Sequence, residues 1–389
     1  MRVRSRSGTW LHPRALSPTT SITPQTVCPE FVPCPLGVPG GRATPRRKFE
    51  AVRTIDWRDG RVVIVDQTRL PAQLHTLELT SVDELVDAIA ELAIRGAPAL
   101  GAAGALGVVL ALDQADRDGW DDELLAAALA RVRAARPTAV NLARGVDRAA
   151  SQLTRGREVV LHEALAMLEE DVAANRSIGE RGADLLDELL AGSSAATRPI
   201  RVHTHCNAGS LATVEGGTAL GVVRVLHRRR RLGRVYVDET RPLLQGSRLT
   251  AWELDQLGID YRIVVDGAGP AVIARGLVDG VVVGADRVAA NGDVVNKVGT
   301  YPLALACARA AVPFVVAAPE STIDEASPTG SSVEIETRAD AEVIEWSGVR
   351  VAPAGARAFN VAFDVTPADL VTAIVTENRV IKPGEPIGE

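Results

Sequence analysis

From residue 200 onward, short apolar runs alternate with helix-length segments. Residues 200–204, 234–237, 261–265, 280–283 and 312–317 read as strands, and 217–227 reads as a helix. That succession predicts an α/β fold built on a parallel sheet with right-handed crossovers, whose site lies beyond the carboxyl ends of the strands. Upstream the period changes. Residues 62–66 read as one strand, and 82–94 as a helix with Ser81 as N-cap and Glu84 completing a capping box. The Gly- and Ala-rich stretch 96–110 predicts a close-packed helix after a loop. Three further helices are expected at 121–135, 141–153 and 163–190, before a loop of small residues at 192–198.

Residues 1–47 follow neither pattern. They are rich in Pro, Arg, Ser and Thr, carry one acid (Glu30), and read as a disordered extension outside the fold, with a transit peptide as the alternative. The rest is long enough for two domains, divided here as a mainly helical part at 48–195 and a catalytic part at 196–389. Aromatic residues make up 3% of the chain, so the core must be small and aliphatic, as in parallel sheets covered by helices. Apolar runs such as 312–318 are too short to span a bilayer, and no transmembrane helix is expected.

A formal net charge of −6 argues against general nucleic-acid binding. Lysine occurs only at Lys48, Lys297 and Lys382 in a chain that otherwise uses Arg, which makes Lys297 conspicuous. Cys28 and Cys34 lie in the irregular N-terminal stretch, and Cys206 and Cys307 are far apart. With no Cys-x-x-Cys and no His pair at ligand spacing beside a carboxylate, neither a metal site nor a disulfide framework is expected. Reduced thiols in a cytosolic protein are the expectation.

Cys206 follows a predicted strand in Thr204-His-Cys-Asn-Ala-Gly209, where a helix N-terminus or nearby cations would favour a thiolate. Taken alone, a cysteine there also fits simple packing, and Cys307 sits in an apolar helix as core. Asp286, in Val283-Gly-Ala-Asp-Arg287, reads either as a partner of Arg287 or as a desolvated acid able to donate a proton near neutrality. Asn296 and Lys297 come ten residues later, and a lysine there offers a compact charge for a phosphate. Arg95, Gly96 and Ala97 precede Pro98 at a helix start, where guanidinium and amides can meet an anion. Gln245, downstream of Glu239-Thr-Arg-Pro242, offers polar contacts to a polyol. The basic run 227–231 closes a helix and reads as a solvated face complementing the dipole.

Taken together these segments resemble the methylthioribose-1-phosphate isomerases. The likeness rests on Arg95-Gly-Ala-Pro-Ala-Leu-Gly101, Arg136-Pro-Thr-Ala-Val-Asn-Leu142, the Cys206 segment, Asp238-Glu-Thr-Arg-Pro242 and Gln245-Gly-Ser-Arg-Leu-Thr-Ala-Trp252. Gly284-Ala-Asp-Arg287, Asn291-Gly-Asp293, Asn296-Lys-Val-Gly-Thr-Tyr301 and Ala362-Phe-Asp-Val-Thr-Pro367 continue it in the same order, from about Phe49 to the C-terminus. The resemblance implies a small N-terminal helical domain, a Rossmann-like C-terminal domain and a homodimer. It implies a cofactor-free aldose–ketose isomerase of 5-methylthioribose 1-phosphate, with Cys206 and Asp286 as the catalytic pair. Substrate contacts are then expected at Arg95, Gly96, Ala97, Gln245, Asn296 and Lys297, and at Arg148 after the Asn-Leu motif. Two departures bear on the 5-substituent: Asp266-Gly-Ala-Gly-Pro270 replaces a segment usually reading Asp-Asn, and Val361 stands where proline is common.

Two relatives of this reading remain, an isomerase of 5-deoxyribose 1-phosphate or ribose 1,5-bisphosphate, and a regulatory subunit, whose kind lacks the Cys206 motif. An NAD enzyme is excluded because no G-x-G-x-x-G follows a strand; Gly267-Ala-Gly269 lacks the third glycine.

Overall fold

The structure is a computed structural model that describes residues 53–382. The extension read at 1–47, with Cys28 and Cys34, lies outside the described residues. The first element is a sheet that the hydrophobic pattern predicts only in part. β1 (Ile55–Arg58), β2 (Arg61–Val65) and β3 (Thr76–Leu79) pair antiparallel in that order. Only β2, with buried Val62 and Ile64, has the apolar character of a strand by itself; its four-residue neighbours are half polar and take their conformation from the ladder. α1 (Val82–Ala90) opens on the expected capping box, with Ser81 accepting the Glu84 N–H and Glu84 accepting the Ser81 N–H. It stops short of residue 94 because Leu92 adopts a left-handed φ of 62°.

The next helices are α2 (Ala97–Asp118), α3 (Asp122–Ala134), α4 (Val140–Ala150) and α5 (Arg157–Leu189). α2 and α4 touch through backbone: a Cβ on Gly145 would lie 2.0 Å from the Gly101 carbonyl oxygen, so only glycine permits the approach. α2 is long and apolar enough to cross a membrane by those measures alone, contrary to the reading from apolar runs, but 72% of its most apolar window is buried inside the protein. α5 runs through two cores. Val160, Ala164 and Leu168 pack with α1, α2 and α4, whereas Ile178, Leu185 and Leu186 pack on the large sheet.

That sheet is built from β4 (Ile200–Thr204), α6 (Ala219–Arg228), β5 (Leu232–Asp238), α7 (Ala251–Gln256), β6 (Tyr261–Val264), α8 (Gly269–Ala274) and β7 (Gly280–Val283). β8 (Arg287–Ala289), β9 (Val294–Lys297), α9 (Thr300–Ala310), β10 (Phe314–Ala317) and β11 (Ile323–Asp324) come next. α10 (Ala341–Ile344), β12 (Glu345–Trp346), β13 (Val349–Arg350), β14 (Phe363–Thr366), β15 (Ala373–Val375) and β16 (Val380–Ile381) complete the described chain. The sheet order is β16-β15-β10-β7-β4-β5-β6, parallel except for β16. After β4 the chain moves outward through β5 and β6; it then returns to β7, on the other side of β4, and continues outward through β10. Connections leave the neighbours β4 and β7 in opposite directions, which opens a crevice beyond their carboxyl ends. A second sheet, β11-β8-β9-β14, is not evident from the sequence and brings Asn296 and Lys297 to that crevice. The basic run behaves as a helix end, with Arg228 and Arg229 paired to Glu180 and Arg231 to Asp187 on α5.

Candidate active site

Cys206 lies two residues beyond β4 and Asp286 three beyond β7, so the switch point brings them to one pocket of about 750 Å³ including its mouth. Arg95, Gly96, Ala97, Gln245, Asn296 and Lys297 line the same pocket. Cys206 is locked in the left-handed region at φ 58°. Its N–H donates to Thr240 Oγ1 (2.9 Å), and its carbonyl accepts from Thr250 Oγ1 (2.7 Å). Thr240 and Leu244 share that unusual backbone, and 246–250 form a widened π-helical turn. Such conformations cost about 1–3 kcal/mol each and persist where surrounding bonds over-determine them. Asp286 is fixed through its N–H, which donates to the Val295 carbonyl at 3.0 Å.

Arg95 is buried, and three of its five N–H donors are engaged. Its Nε donates to Gln67 Oε1 (3.0 Å), Nη1 to the Asn207 carbonyl (3.1 Å) and Nη2 to Asn207 Oδ1. Asn207 in turn donates to Glu253 (2.8 Å), which also accepts the Ser210 N–H (2.8 Å). Arg95 therefore braces the residue after Cys206 as well as charging the pocket. Gly96 caps α2 at φ 99°, and Ala97 and Pro98 start it. Gln245 is buried with an unpartnered Oε1, an acceptor available to a ligand hydroxyl. Asn296 donates to Thr300 Oγ1 (2.9 Å), and the Lys297 ammonium lies over the Phe363 ring at 4.5 Å.

Arg148 does not join them. It is exposed, donates to Glu163 (2.6 Å) and Glu170 (2.6 and 2.8 Å) on α5, and lines a separate cavity with Asn141, Asp147 and Glu170. α4 turns its Arg148 face toward α5, away from the crevice. The arginine that this segment places in the pocket is Arg136, before α4, ion-paired to Glu336 at 3.3 Å. Its signal is available in the chain, since it opens the Arg136–Leu142 motif. Phe363 also belongs to a recognisable motif, whereas Arg338, paired to Glu336 and Glu342, has none.

Burial dominates the electrostatics. It pushes the Cys206 thiol above its ordinary pKa, against the pull of Arg95 and Lys297 toward the thiolate. The lowered thiol expected from sequence is thus not found. Burial outweighs the cations there, although the α6 N-cap, Thr218, lines the same pocket. Burial likewise raises the Asp286 carboxyl, opposed by Lys297, Arg136 and Arg95, as expected for an acid that keeps its proton. The same desolvation lowers Lys297.

Among the described residues, His205, Asp238 and Asp266 stand close enough to share a cation. Their atoms are already committed. Asp238 receives His203 Nε2 (3.0 Å) and His205 Nδ1 (2.8 Å), and Asp266 receives the N–H groups of Thr240 (2.7 Å) and Arg241 (2.6 Å). The departure at 266–270 thus leaves Asp266 supporting the loop after β5.

Comparison with known proteins identifies the family. Residues 93–383 match the model of the Initiation factor 2 subunit family. A probable bifunctional methylthioribose-1-phosphate isomerase/methylthioribulose-1-phosphate dehydratase of Nocardia farcinica is 52% identical over 84% of this chain, which spans only 59% of that longer protein. A 5-deoxyribose 1-phosphate isomerase of Moorella thermoacetica is 46% identical, covering 86% of this chain and 95% of its own length. The crystal structure of 5-methylthioribose 1-phosphate isomerase from Pyrococcus horikoshii superposes with a TM-score of 0.76 at 36% identity, over 88% of this chain and 96% of that one. With three quarters of its length matched and relatives this similar, the chain belongs to the initiation factor 2 subunit family, with the methylthioribose-1-phosphate isomerases.

Proposed function

We propose that the protein is an aldose–ketose isomerase converting 5-methylthioribose 1-phosphate to 5-methylthioribulose 1-phosphate in methionine salvage. The observation that carries this reading is the convergence of Cys206 and Asp286 on one crevice furnished with Arg95, Arg136 and Lys297. The C1 oxygen of such a substrate is already esterified, so the ring cannot open through a free anomeric hydroxyl. Asp286, kept protonated by burial, gives its proton to the ring oxygen as the C1–O4 bond breaks. C1 is left as an oxocarbenium. The thiolate form of Cys206, a minor form that the neighbouring Arg95 and Lys297 charges favour and whose proton has left to solvent, takes the C2 proton to give an enol. Return of that proton to C1 and passage of the C2 hydroxyl proton to the Asp286 carboxylate, directly or through water, give the C2 ketone and restore both groups. Each such group contributes roughly 10²–10⁴-fold.

Gln245 and Asn296 hold sugar hydroxyls in this reading, while Lys297 and Arg136 hold the phosphate. Arg136 takes the part that the motif resemblance assigns to Arg148. The division into a helical domain up to 195 and a catalytic domain from 196, a cytoplasmic location and a homodimer complete the proposal; sedimentation of the full chain tests the last. A coupled assay across 5-methylthioribose, 5-deoxyribose and ribose 5-phosphate 1-phosphates decides the substrate. A 5-deoxyribose 1-phosphate preference is the second reading, favoured by the Moorella relative's similarity over nearly its whole length. Turnover of none of the three would end the isomerase reading. Deuterium from solvent at C1 of the product marks proton transfer; its strict absence marks a C2-to-C1 hydride shift.

A further inference from the structure

His205 has no part in the chemistry above, yet its ring is fully buried beside the pocket with both nitrogens at acceptors. Nδ1 lies 2.8 Å from Asp238 Oδ2, and Nε2 lies 2.8 Å from the Val298 carbonyl oxygen. A backbone carbonyl only accepts, so Nε2 must carry a hydrogen; an ionised carboxylate also only accepts, so Nδ1 must carry one too. The carboxylate is ionised: Asp238 also receives His203 Nε2 at 3.0 Å, and its histidine partners hold its pKa below the usual range despite burial. His203 Nε2 faces Asp238 and so carries a hydrogen, and its buried Nδ1 has no partner. An imidazolium at His205 sets a positive charge against the Asp238 carboxylate in a fully buried site.

The carbonyl that His205 holds belongs to the residue after Lys297. The same turn is gripped from its other side by Asp364, which accepts the Gly299 N–H (2.7 Å) and the Tyr301 N–H (3.1 Å). Gly299, at φ 107°, lies against the imidazole, where a Cβ would come within 2.6 Å of its Cε1. Asp238 from β5, Asp266 after β6 and Asp364 from β14 are the acids that act on the ring, and His203 on β4 shares Asp238 with it. Net, they raise the His205 pKa against its own desolvation.

We propose that His205 is a positioning residue: as an imidazolium clamped between Asp238 and the Val298 carbonyl, it fixes the turn that carries Lys297 and so holds the Lys297 charge against Cys206. This rests on the isomerase reading for its purpose, but its test needs no turnover. In the full-length protein, the rate of Cys206 alkylation by iodoacetamide is followed against pH by peptide mass spectrometry, beside inorganic phosphate affinity by calorimetry. His205→Ala should move the alkylation midpoint up by about one pH unit and weaken phosphate about tenfold. His205→Gln keeps a donor toward Val298 and should recover part of both. Nitrogen NMR of the wild-type ring should show both nitrogens protonated at pH 8, a readout that stands even where His205→Ala fails to fold. A melting-temperature loss with unchanged midpoint and phosphate affinity overturns the proposal, as does a ring with one bare nitrogen. A wild type inert toward every sugar 1-phosphate would instead sink the isomerase reading, with these readouts unaffected.

Discussion

Cys206 and Cys307 occupy two regions of the same half of the molecule, and burial raises both thiols. Around Cys307, on α9, the neighbours are Val281, Leu303 and Phe314, and the thiol is pushed up to about 12 by desolvation alone. Around Cys206 desolvation is again the largest effect, but Arg95 and Lys297 oppose it, and the backbone is held left-handed by Thr240 and Thr250. Burial by itself makes a sulfur inert packing; burial beside cations and an acid makes one whose proton its charged neighbours can control.

The largest expected effect that tests this contrast is Cys206→Ser. Turnover should fall by at least roughly 10²–10⁴-fold, with the melting temperature nearly unchanged. Full activity in that variant would erase the distinction between the two cysteines. Asp286→Asn comes next, since it keeps shape but removes the transferable proton. kcat should collapse over a similar range while calorimetric affinity for product stays near wild type; loss of product binding would mean that Asp286 holds substrate instead.

Lys297→Ala should weaken product and inorganic phosphate together, by roughly 1.5–3 kcal/mol. Arg95→Ala is less clean, because it also strips partners from Gln67 and Asn207; a lowered melting temperature should accompany its weaker binding. Cys307→Ser should do the converse of Cys206→Ser, losing about 1–3 kcal/mol of stability to an unpaired hydroxyl with kcat intact. Equal damage to activity from Cys307→Ser would break the comparison.

The smallest effect on activity concerns a half-buried acid outside the crevice. Asp171, on α5, is pushed up to about 7 by desolvation, against hydrogen bonds from the Val214 N–H and Asn175. Between its unfolded value of 3.8 and about 7 the unfolded chain sheds this proton while the folded chain keeps it. Stability therefore falls as pH rises through that window, and the penalty is complete above it. Asp171→Asn should flatten the pH dependence of the melting temperature, a difference on the order of 4 kcal/mol between pH 4 and pH 8, without changing kcat. An unchanged pH profile would show that Asp171 is ionised throughout.

Local chemistry and period determined much of this protein. The Ser81–Glu84 capping box, the strands at 200–204 and 280–283 and the helical run from α2 to α5 depend on neighbours within a few residues, so they are legible along the chain. Residue type and strand position likewise single out Cys206, Asp286, Gln245 and Lys297. The rest is set by residues distant in sequence. β1 and β3 are too short and polar to declare themselves until β2 pairs with them. Which arginine faces the pocket depends on how α4 packs against α2 and α5, which turns Arg148 to Glu163 and Glu170 and leaves Arg136 inside. The direction of the Cys206 pKa escapes the sequence for the same reason. Motif spacing shows nearby charges and helix starts, but desolvation is a property of everything packed around the sulfur, and only the assembled fold supplies it.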